Sequence, residues 1–140
     1  MHKEITEQNY KLILKYLEEG YICLHEKQYN NAFSYFSNAL NLLPKEKEEW
    51  DIALNIYLAL GKCSFYQEEY NIASYFFNKA LQAPNGLVSG ELWLCIGKCF
   101  YKQGIEEKAK DAFMSAYMLE GKDIFDEQKI EYFNLIKNSI

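Results

Sequence analysis

Three glycines, at positions 20, 61 and 97, organise this 140-residue sequence into an internal repeat. Each glycine follows an aromatic residue by four positions and precedes an alanine, a phenylalanine and a second alanine by 12, 16 and 19 positions. The tripeptide Gly61-Lys62-Cys63 also recurs as Gly97-Lys98-Cys99. The repeated columns are Tyr16, Tyr57 and Trp93; Ala32, Ala73 and Ala109; Phe36, Phe77 and Phe113; and Ala39, Ala80 and Ala116. Self-similarity that returns every 36 to 41 residues predicts stacked supersecondary units.

The spacing within one unit is that of two helices packed as a hairpin. The aromatic residue and the glycine lie on one face of the first helix, where glycine allows the next helix to come close. The Ala-x-x-x-Phe-x-x-Ala pattern places its three residues on one face of the second helix. A short polar turn, such as Glu26-Lys27-Gln28, joins the helices. Each hairpin leaves an apolar face incompletely covered, and stacking the hairpins covers it.

This pattern resembles the tetratricopeptide repeat (TPR), whose W-x2-L-G-x2-Y, A-x3-F and final P positions it follows. The matching residues are Tyr16, Gly20, Ala32, Phe36, Ala39 and Pro44, then Tyr57, Leu60, Gly61, Ala73, Phe77 and Ala80, then Trp93, Gly97, Phe100, Ala109, Phe113 and Ala116. The resemblance implies an all-α fold, a right-handed α-solenoid of three TPR helical hairpins plus a C-terminal capping helix. We expect a single domain over 1–140, with repeats at about 13–46, 54–87 and 90–123 and the capping helix at about 124–138.

The spacing of the glycines departs from the family pattern. They are 41 and then 36 residues apart, whereas the family period is about 34. Extra residues therefore lie near Lys45–Asp51, and we expect this charged, helix-favouring stretch to extend the next helix by about two turns. The predicted helices cover about 4–26, 29–43, 46–67, 69–83, 89–103, 105–119 and 124–138, with Thr6 as the N-cap of the first.

The sequence contains none of the common catalytic patterns. It has no Gly-rich phosphate loop, no His-Glu-x-x-His and no Gly-x-Ser-x-Gly, and its only histidines are His2 and His25. The four cysteines are Cys23, Cys63, Cys95 and Cys99. Because no histidine or further cysteine stands at ligand spacing, they are interpreted as buried structural thiols. We predict no enzyme activity, no cofactor and no metal site.

The charge of the chain argues against a nucleic-acid partner. The net charge is −5, and all 15 basic residues are lysine. The chain thus lacks arginine, the usual reader of guanine and phosphate, and the positive footprint of a nucleic-acid-binding protein. No apolar run reaches the ~20 residues of a membrane helix, and the start, Met1-His2-Lys3-Glu4, shows no secretory signal. We expect a cytoplasmic protein with reduced thiols that contacts no membrane and is a monomer or weak dimer.

In the TPR family the first helices line the concave surface, which implies a protein or peptide partner there. By helix phase, the residues expected to contact the partner are Tyr21, Leu58, Lys62, Phe65, Tyr66, Lys98 and Tyr101, with Leu24 and His25 beside them. Tyrosine with a few charges is typical of interaction hot spots. The alternative, strongest for Leu58 and Phe65, is that these side chains pack against neighbouring helices.

Co-chaperone members of the family hold a peptide's terminal carboxylate with a clamp of Lys, Asn and Arg. The equivalent positions here carry Leu17, Tyr21, Ala59, Glu91 and Cys95. A carboxylate beside Glu91, with no cation at these positions, would be repelled and poorly solvated. We therefore expect a different partner, more apolar or with acidic spots facing Lys62 and Lys98.

The chain also resembles small bacterial TPR proteins encoded beside polymorphic or contact-dependent toxins. The resemblance rests on Leu42-Leu43-Pro44, on Glu48-Glu49-Trp50 and on the ending from Ala116-Tyr117-Met118 to Leu135-Ile136-Lys137. It implies an immunity-type protein that binds and neutralises a partner toxin, and a net charge of −5 would suit a basic nuclease toxin. Two alternatives stay open: a secretion-type chaperone that holds a peptide segment in its groove, and a scaffold subunit of a larger complex.

Overall fold

The computed structural model describes residues 4–140, which form seven α-helices and no strand. The helices are α1 (Glu7–His25), α2 (Tyr29–Asn41), α3 (Ala53–Tyr66), α4 (Tyr70–Gln82), α5 (Gly90–Lys102), α6 (Glu106–Glu120) and α7 (Ile130–Asn134). The first six pair as three hairpins, α1 with α2, α3 with α4 and α5 with α6. The prediction of an all-α fold built from TPR-type hairpins is confirmed.

The chain divides into two compact units, the first ending at Pro84 and the second covering Asn85–Ile140. The first unit contains the hairpins α1/α2 and α3/α4, and α3 packs against both α2 and α4. The second unit contains the hairpin α5/α6 and the C-terminal segment. None of the helices within residues 4–140 is long and apolar enough to cross a membrane.

The seam of each hairpin is the glycine–phenylalanine contact that the repeat predicts. A Cβ atom added to the signature glycine would lie only 2.3–2.6 Å from the nearest ring atom of the phenylalanine. The pairs in contact are Gly20 with Phe36, Gly61 with Phe77 and Gly97 with Phe113. The motif alanines on either side of each ring are fully buried. The repeat columns therefore describe how the two helices of a hairpin interlock.

The ends of α1 are closed by local hydrogen bonds. Thr6, the predicted N-cap, accepts a hydrogen bond from the backbone N–H of Asn9 at 3.1 Å. At the other end Lys27 adopts a left-handed φ of 62°. Its N–H donates to the Leu24 carbonyl oxygen at 3.1 Å, and the N–H of Gln28 donates to the Cys23 carbonyl oxygen at 2.8 Å. This is a Schellman-type ending, in which the turn satisfies the last helix carbonyls.

The inserted residues near Lys45–Asp51 do not extend α3, so this prediction is wrong. Glu46 adopts a left-handed φ of 61°, a 3₁₀ turn covers 47–49, and α3 begins only at Ala53. The Lys47 ammonium donates to the Leu40 carbonyl oxygen at 3.0 Å and also to that of Leu43. The insertion therefore caps the end of α2 instead of lengthening α3, because those carbonyls need a donor.

The C-terminal segment is not the single helix predicted over 124–138. It consists of a 3₁₀ turn over 122–125, the five-residue α7 and a second 3₁₀ turn over 137–139. Phe125, Tyr132 and Ile136 are buried against the α5/α6 hairpin. The polar stretch 126–129 has no apolar side chain to bury, so the helix is interrupted there. The segment still covers the apolar face of the last hairpin, as an end cap must.

Candidate functional site

A groove in the first unit lies between the C-terminal ends of α1 and α3. It has a volume of about 400 Å³ and is lined by Tyr21, Leu24, His25, Lys27, Tyr29, Lys62 and Tyr66. The structure thus brings together Tyr21, Lys62 and Tyr66, three of the residues predicted to contact a partner. Leu24 and His25, which helix phase placed beside them, lie in the same groove.

Tyrosine rings held by other rings form the walls of this groove. Tyr66 stacks on Tyr29 with ring centroids 5.3 Å apart and an interplanar angle of 18°. Tyr21 lies edge-on to the buried Phe36 at 5.2 Å. Tyr21 and Tyr66 nevertheless keep 45% and 48% of their surface exposed. Such rings offer a large contact area to a partner and lose little conformational freedom on binding.

The groove is basic in an otherwise acidic chain. Apart from the tyrosines, its only ionisable side chains are His25, Lys27 and Lys62, and no carboxylate lines it. The Schellman-type hydrogen bonds at the end of α1 come from backbone N–H groups, so the Lys27 ammonium is not needed to cap that helix. The groove therefore presents positive charge next to aromatic surface.

Leu58 and Phe65 of α3 differ from the exposed groove residues. Leu58 is only 8% exposed, because α3 is enclosed between α2 and α4. Phe65 is half-buried and lies edge-on to Tyr66 at 5.7 Å and to Tyr70 at 5.5 Å. We correct the expected partner-contacting set at Leu58, which belongs to the core. Phe65 supports the ring of Tyr66, and its contact with a partner stays a prediction.

Lys98 and Tyr101, the two expected contact residues of the second unit, engage the C-terminal segment. The Lys98 ammonium donates to Gln128 Oε1 at 3.0 Å, and the Tyr101 hydroxyl donates to Glu131 Oε2 at 3.0 Å. The hydrogen bond to Glu131 raises the pKa of Tyr101. The Tyr101 ring also lies edge-on to Tyr132 at 5.3 Å. In this structure both residues hold the C-terminal segment in place.

A second, more apolar surface lies along α1 alone. It has a volume of about 650 Å³ and is lined by Leu14, Leu17, Glu18, Tyr21, Ile22, His25 and Glu26. All but the C-cap residue Glu26 belong to α1. Because no second element forms a wall, this surface is an exposed helix face and not a groove that encloses a segment.

The thiols and three of the five clamp positions lie inside the protein. All four cysteines are free and buried, and burial raises the pKa of Cys63 to about 12, so its thiol is protonated and unreactive at neutral pH. Within residues 4–140 no group of His, Cys, Asp and Glu side chains is arranged to hold a metal ion. Of the positions equivalent to the carboxylate clamp, Leu17, Ala59 and Cys95 are buried, whereas Tyr21 and Glu91 are exposed.

Two groove residues, Lys27 and Tyr29, were not among the residues expected to contact a partner. The sequence places Lys27 in the turn between α1 and α2 and Tyr29 at the start of α2. The sequence could have indicated both residues, because they follow His25, which was expected beside the partner-contacting residues, within four positions. Helix phase along α1 could not place them in the groove, because both lie beyond the end of α1 and their directions do not follow its periodicity.

The fold is that of a helical-hairpin repeat protein, a TPR-like solenoid. Comparison with known sequences agrees with this class, although no family model matches the chain. The chain is 26% identical over 119 residues to the general transcriptional corepressor ssn6 of Schizosaccharomyces pombe. It is 35% identical over 68 residues to the RNA polymerase-associated protein CTR9 of Caenorhabditis elegans. These alignments cover 85% and 47% of this chain, which spans only 10% and 6% of the two relatives.

Comparison with solved structures shows the same fold. The chain is similar to the type III secretion chaperone SycD of Yersinia enterocolitica, solved in complex with a peptide of the translocator YopD. The TM-score is 0.74 at 14% sequence identity, and the match covers 97% of this chain and 95% of that one. At this level of identity the likeness shows a common TPR-like helical fold.

Proposed function

We propose that this chain is a non-catalytic protein-interaction module that holds an extended segment of a partner protein in the groove of the first unit. The observation that carries the proposal is the tyrosine-walled groove between α1 and α3, with Tyr21 and Tyr66 half-exposed and fixed by ring contacts. Exposed aromatic side chains in a concave site are the usual anchors of protein recognition.

The dimensions of the groove favour a segment over a folded domain. A volume of about 400 Å³ accommodates a few side chains, and such a groove between two elements suits a short linear stretch. The SycD structure supports the same reading, since that protein, with the same fold, was solved with a bound peptide. Of the hypotheses raised by the sequence, the secretion-type chaperone is therefore the one this proposal follows.

The other functional hypotheses have no comparable support. No feature of the groove and none of the comparisons favours the toxin-neutralising immunity function, so it stays a prediction of the sequence resemblance. The scaffold role, the bacterial origin, the cytoplasmic location and the monomeric or weakly dimeric state also stay predictions.

Selection from a displayed library of random 16-residue peptides tests the proposal. We expect peptides that bind the purified full chain and lose about tenfold in affinity for Tyr66→Ala, because truncating an aromatic anchor costs about 1–2 kcal/mol. Fluorescence anisotropy with the enriched peptides measures the change.

Tyr75→Ala is the matched control. Tyr75 is a 57%-exposed tyrosine on α4 in the same unit and does not line the groove. The control should bind within twofold of the unaltered protein. Failure to enrich any peptide, or equal loss of affinity in both variants, would contradict the proposal.

A further inference from the structure

The charge of the same groove narrows the kind of segment that it can hold, an inference that rests on the proposed function. We propose that the groove selects acidic segments, in which an Asp or Glu side chain lies within reach of Lys27 and Lys62 while a neighbouring apolar side chain packs on Tyr66. The occupant is thus a stretch of another protein that alternates carboxylates with apolar or aromatic residues.

The lining of the groove departs from the average surface of this chain. The chain has 20 acidic and 15 basic residues, so an average patch carries more carboxylates than lysines. The groove instead has two lysines and His25 and no carboxylate. Positive charge collected in a concave site attracts an oppositely charged segment and raises its rate of association.

The helix ends do not cancel this charge. The C-termini of α1 and α3 meet the groove, and each helix end carries about half a negative charge. The last carbonyls are also satisfied by turns, since the N–H of Gln28 donates to the Cys23 oxygen and that of Glu69 donates to the Ser64 oxygen. The two helix ends together amount to about one negative charge, which is less than the charge of the two lysines that line the groove.

The second unit shows what a lysine at this repeat position holds. Lys98 follows its signature glycine directly, as Lys62 does. Where the C-terminal segment lies beside it, its ammonium donates to the side-chain oxygen of Gln128. Lys98 thus takes a side-chain oxygen acceptor from a neighbouring segment, and at the matching position of Lys62 a carboxylate would make a stronger hydrogen bond, because both partners are charged.

The recognised group is a side-chain carboxylate and not a chain terminus. Three of the five positions equivalent to a terminal-carboxylate clamp, Leu17, Ala59 and Cys95, are core residues here, and the other two, Tyr21 and Glu91, carry no positive charge. The lysines of this groove instead lie in the turn after α1 and on α3. A segment can therefore pass through the groove without ending in it.

The test compares the peptides enriched by the full chain with those enriched by Lys27→Gln/Lys62→Gln, from a library with amidated C-termini. We expect Asp and Glu to be enriched at least about twofold over the starting library by the unaltered chain and not by the double variant. The best acidic peptide should bind the double variant about tenfold more weakly, since each exposed lysine–carboxylate pair contributes about threefold. The same peptide with Asn and Gln in place of Asp and Glu should show an equal loss with the unaltered chain.

The matched control is Lys11→Gln/Lys45→Gln, which removes the same two charges from exposed positions outside the groove. It should bind within twofold of the unaltered chain, and Lys62→Arg should keep the acidic preference. Peptides without acidic enrichment that still depend on Tyr66 would overturn this inference and leave the proposed function standing. Absence of any enriched peptide would overturn both the inference and the proposed function. An equal loss of peptide affinity in the control variant would also overturn the inference, because the preference would then come from the net charge of the chain.

Discussion

One added methyl group at Gly61 tests the closest contact within the second hairpin. In Gly61→Ala the new Cβ would lie 2.3, 2.5 and 2.9 Å from Cε1, Cδ1 and Cζ of Phe77. Carbon atoms in contact normally lie about 3.5–4.0 Å apart, so the ring would have to move by about 1 Å. Phe77 is only 1% exposed, and the close packing around it leaves no room for that movement.

The expected change in stability is the difference between two opposing effects. Alanine in place of glycine within a helix stabilises by about 1 kcal/mol. Overpacking a core costs about 1–3 kcal/mol, and three ring atoms below 3.0 Å place this site at the upper end. We expect Gly61→Ala to lower the free energy of unfolding by about 2 kcal/mol, measured by urea denaturation followed by circular dichroism.

A double variant separates the steric contact from other causes. Phe77→Leu removes the ring atoms that the new Cβ would meet, so Gly61→Ala should cost at least about 1 kcal/mol less in that background. Gly104→Ala is the control, because its φ of +78° strains alanine while no atom lies within 4 Å. The loss of unfolding free energy caused by Gly104→Ala should be the same with and without Phe77→Leu. A Gly61→Ala protein more stable by about 1 kcal/mol, the helix-propensity value alone, would refute the close approach of the two helices.

Two further predictions concern buried polar groups of the first unit. Lys47→Gln should lower the free energy of unfolding by about 1–2 kcal/mol, because it removes the charged donor to the carbonyls of Leu40 and Leu43; an unchanged urea midpoint would argue against the capping role. Stability should also fall above about pH 9, since burial raises the pKa of Cys63 to about 12, whereas an unfolded thiol titrates near 8.5. The unfolded chain then binds fewer protons than the folded one, so Cys63 contributes a loss of about 1.4 kcal/mol per pH unit between about pH 9 and 11. Denaturation of Cys63→Ala across this range should lack that component, and identical slopes would contradict the assignment.

The hairpins could be read from the sequence because their determinants are local. Gly20 and Phe36 lie 16 residues apart, and the short turn between their helices brings them into contact as a hairpin. Helix periodicity therefore placed the six hairpin helices closely, except for the start of α3, which was expected at about 46 and lies at Ala53. The insertion after Pro44 could not be read in the same way, because helix propensity describes a residue by itself. Lys47 found two carbonyl acceptors at the end of α2, and that tertiary contact overrode the local preference.

The candidate site shows the same division. By itself, the sequence predicted that Tyr21, Lys62 and Tyr66 would lie on the partner-facing side of their helices, because helical spacing sets the direction of each side chain. Only the tertiary structure decided what lies in front of each one. It buried Leu58 between helices and brought Lys27 from a turn to the groove. The physical reason is that helix phase sets where a side chain points, whereas burial and charge depend on neighbours that are distant in the chain.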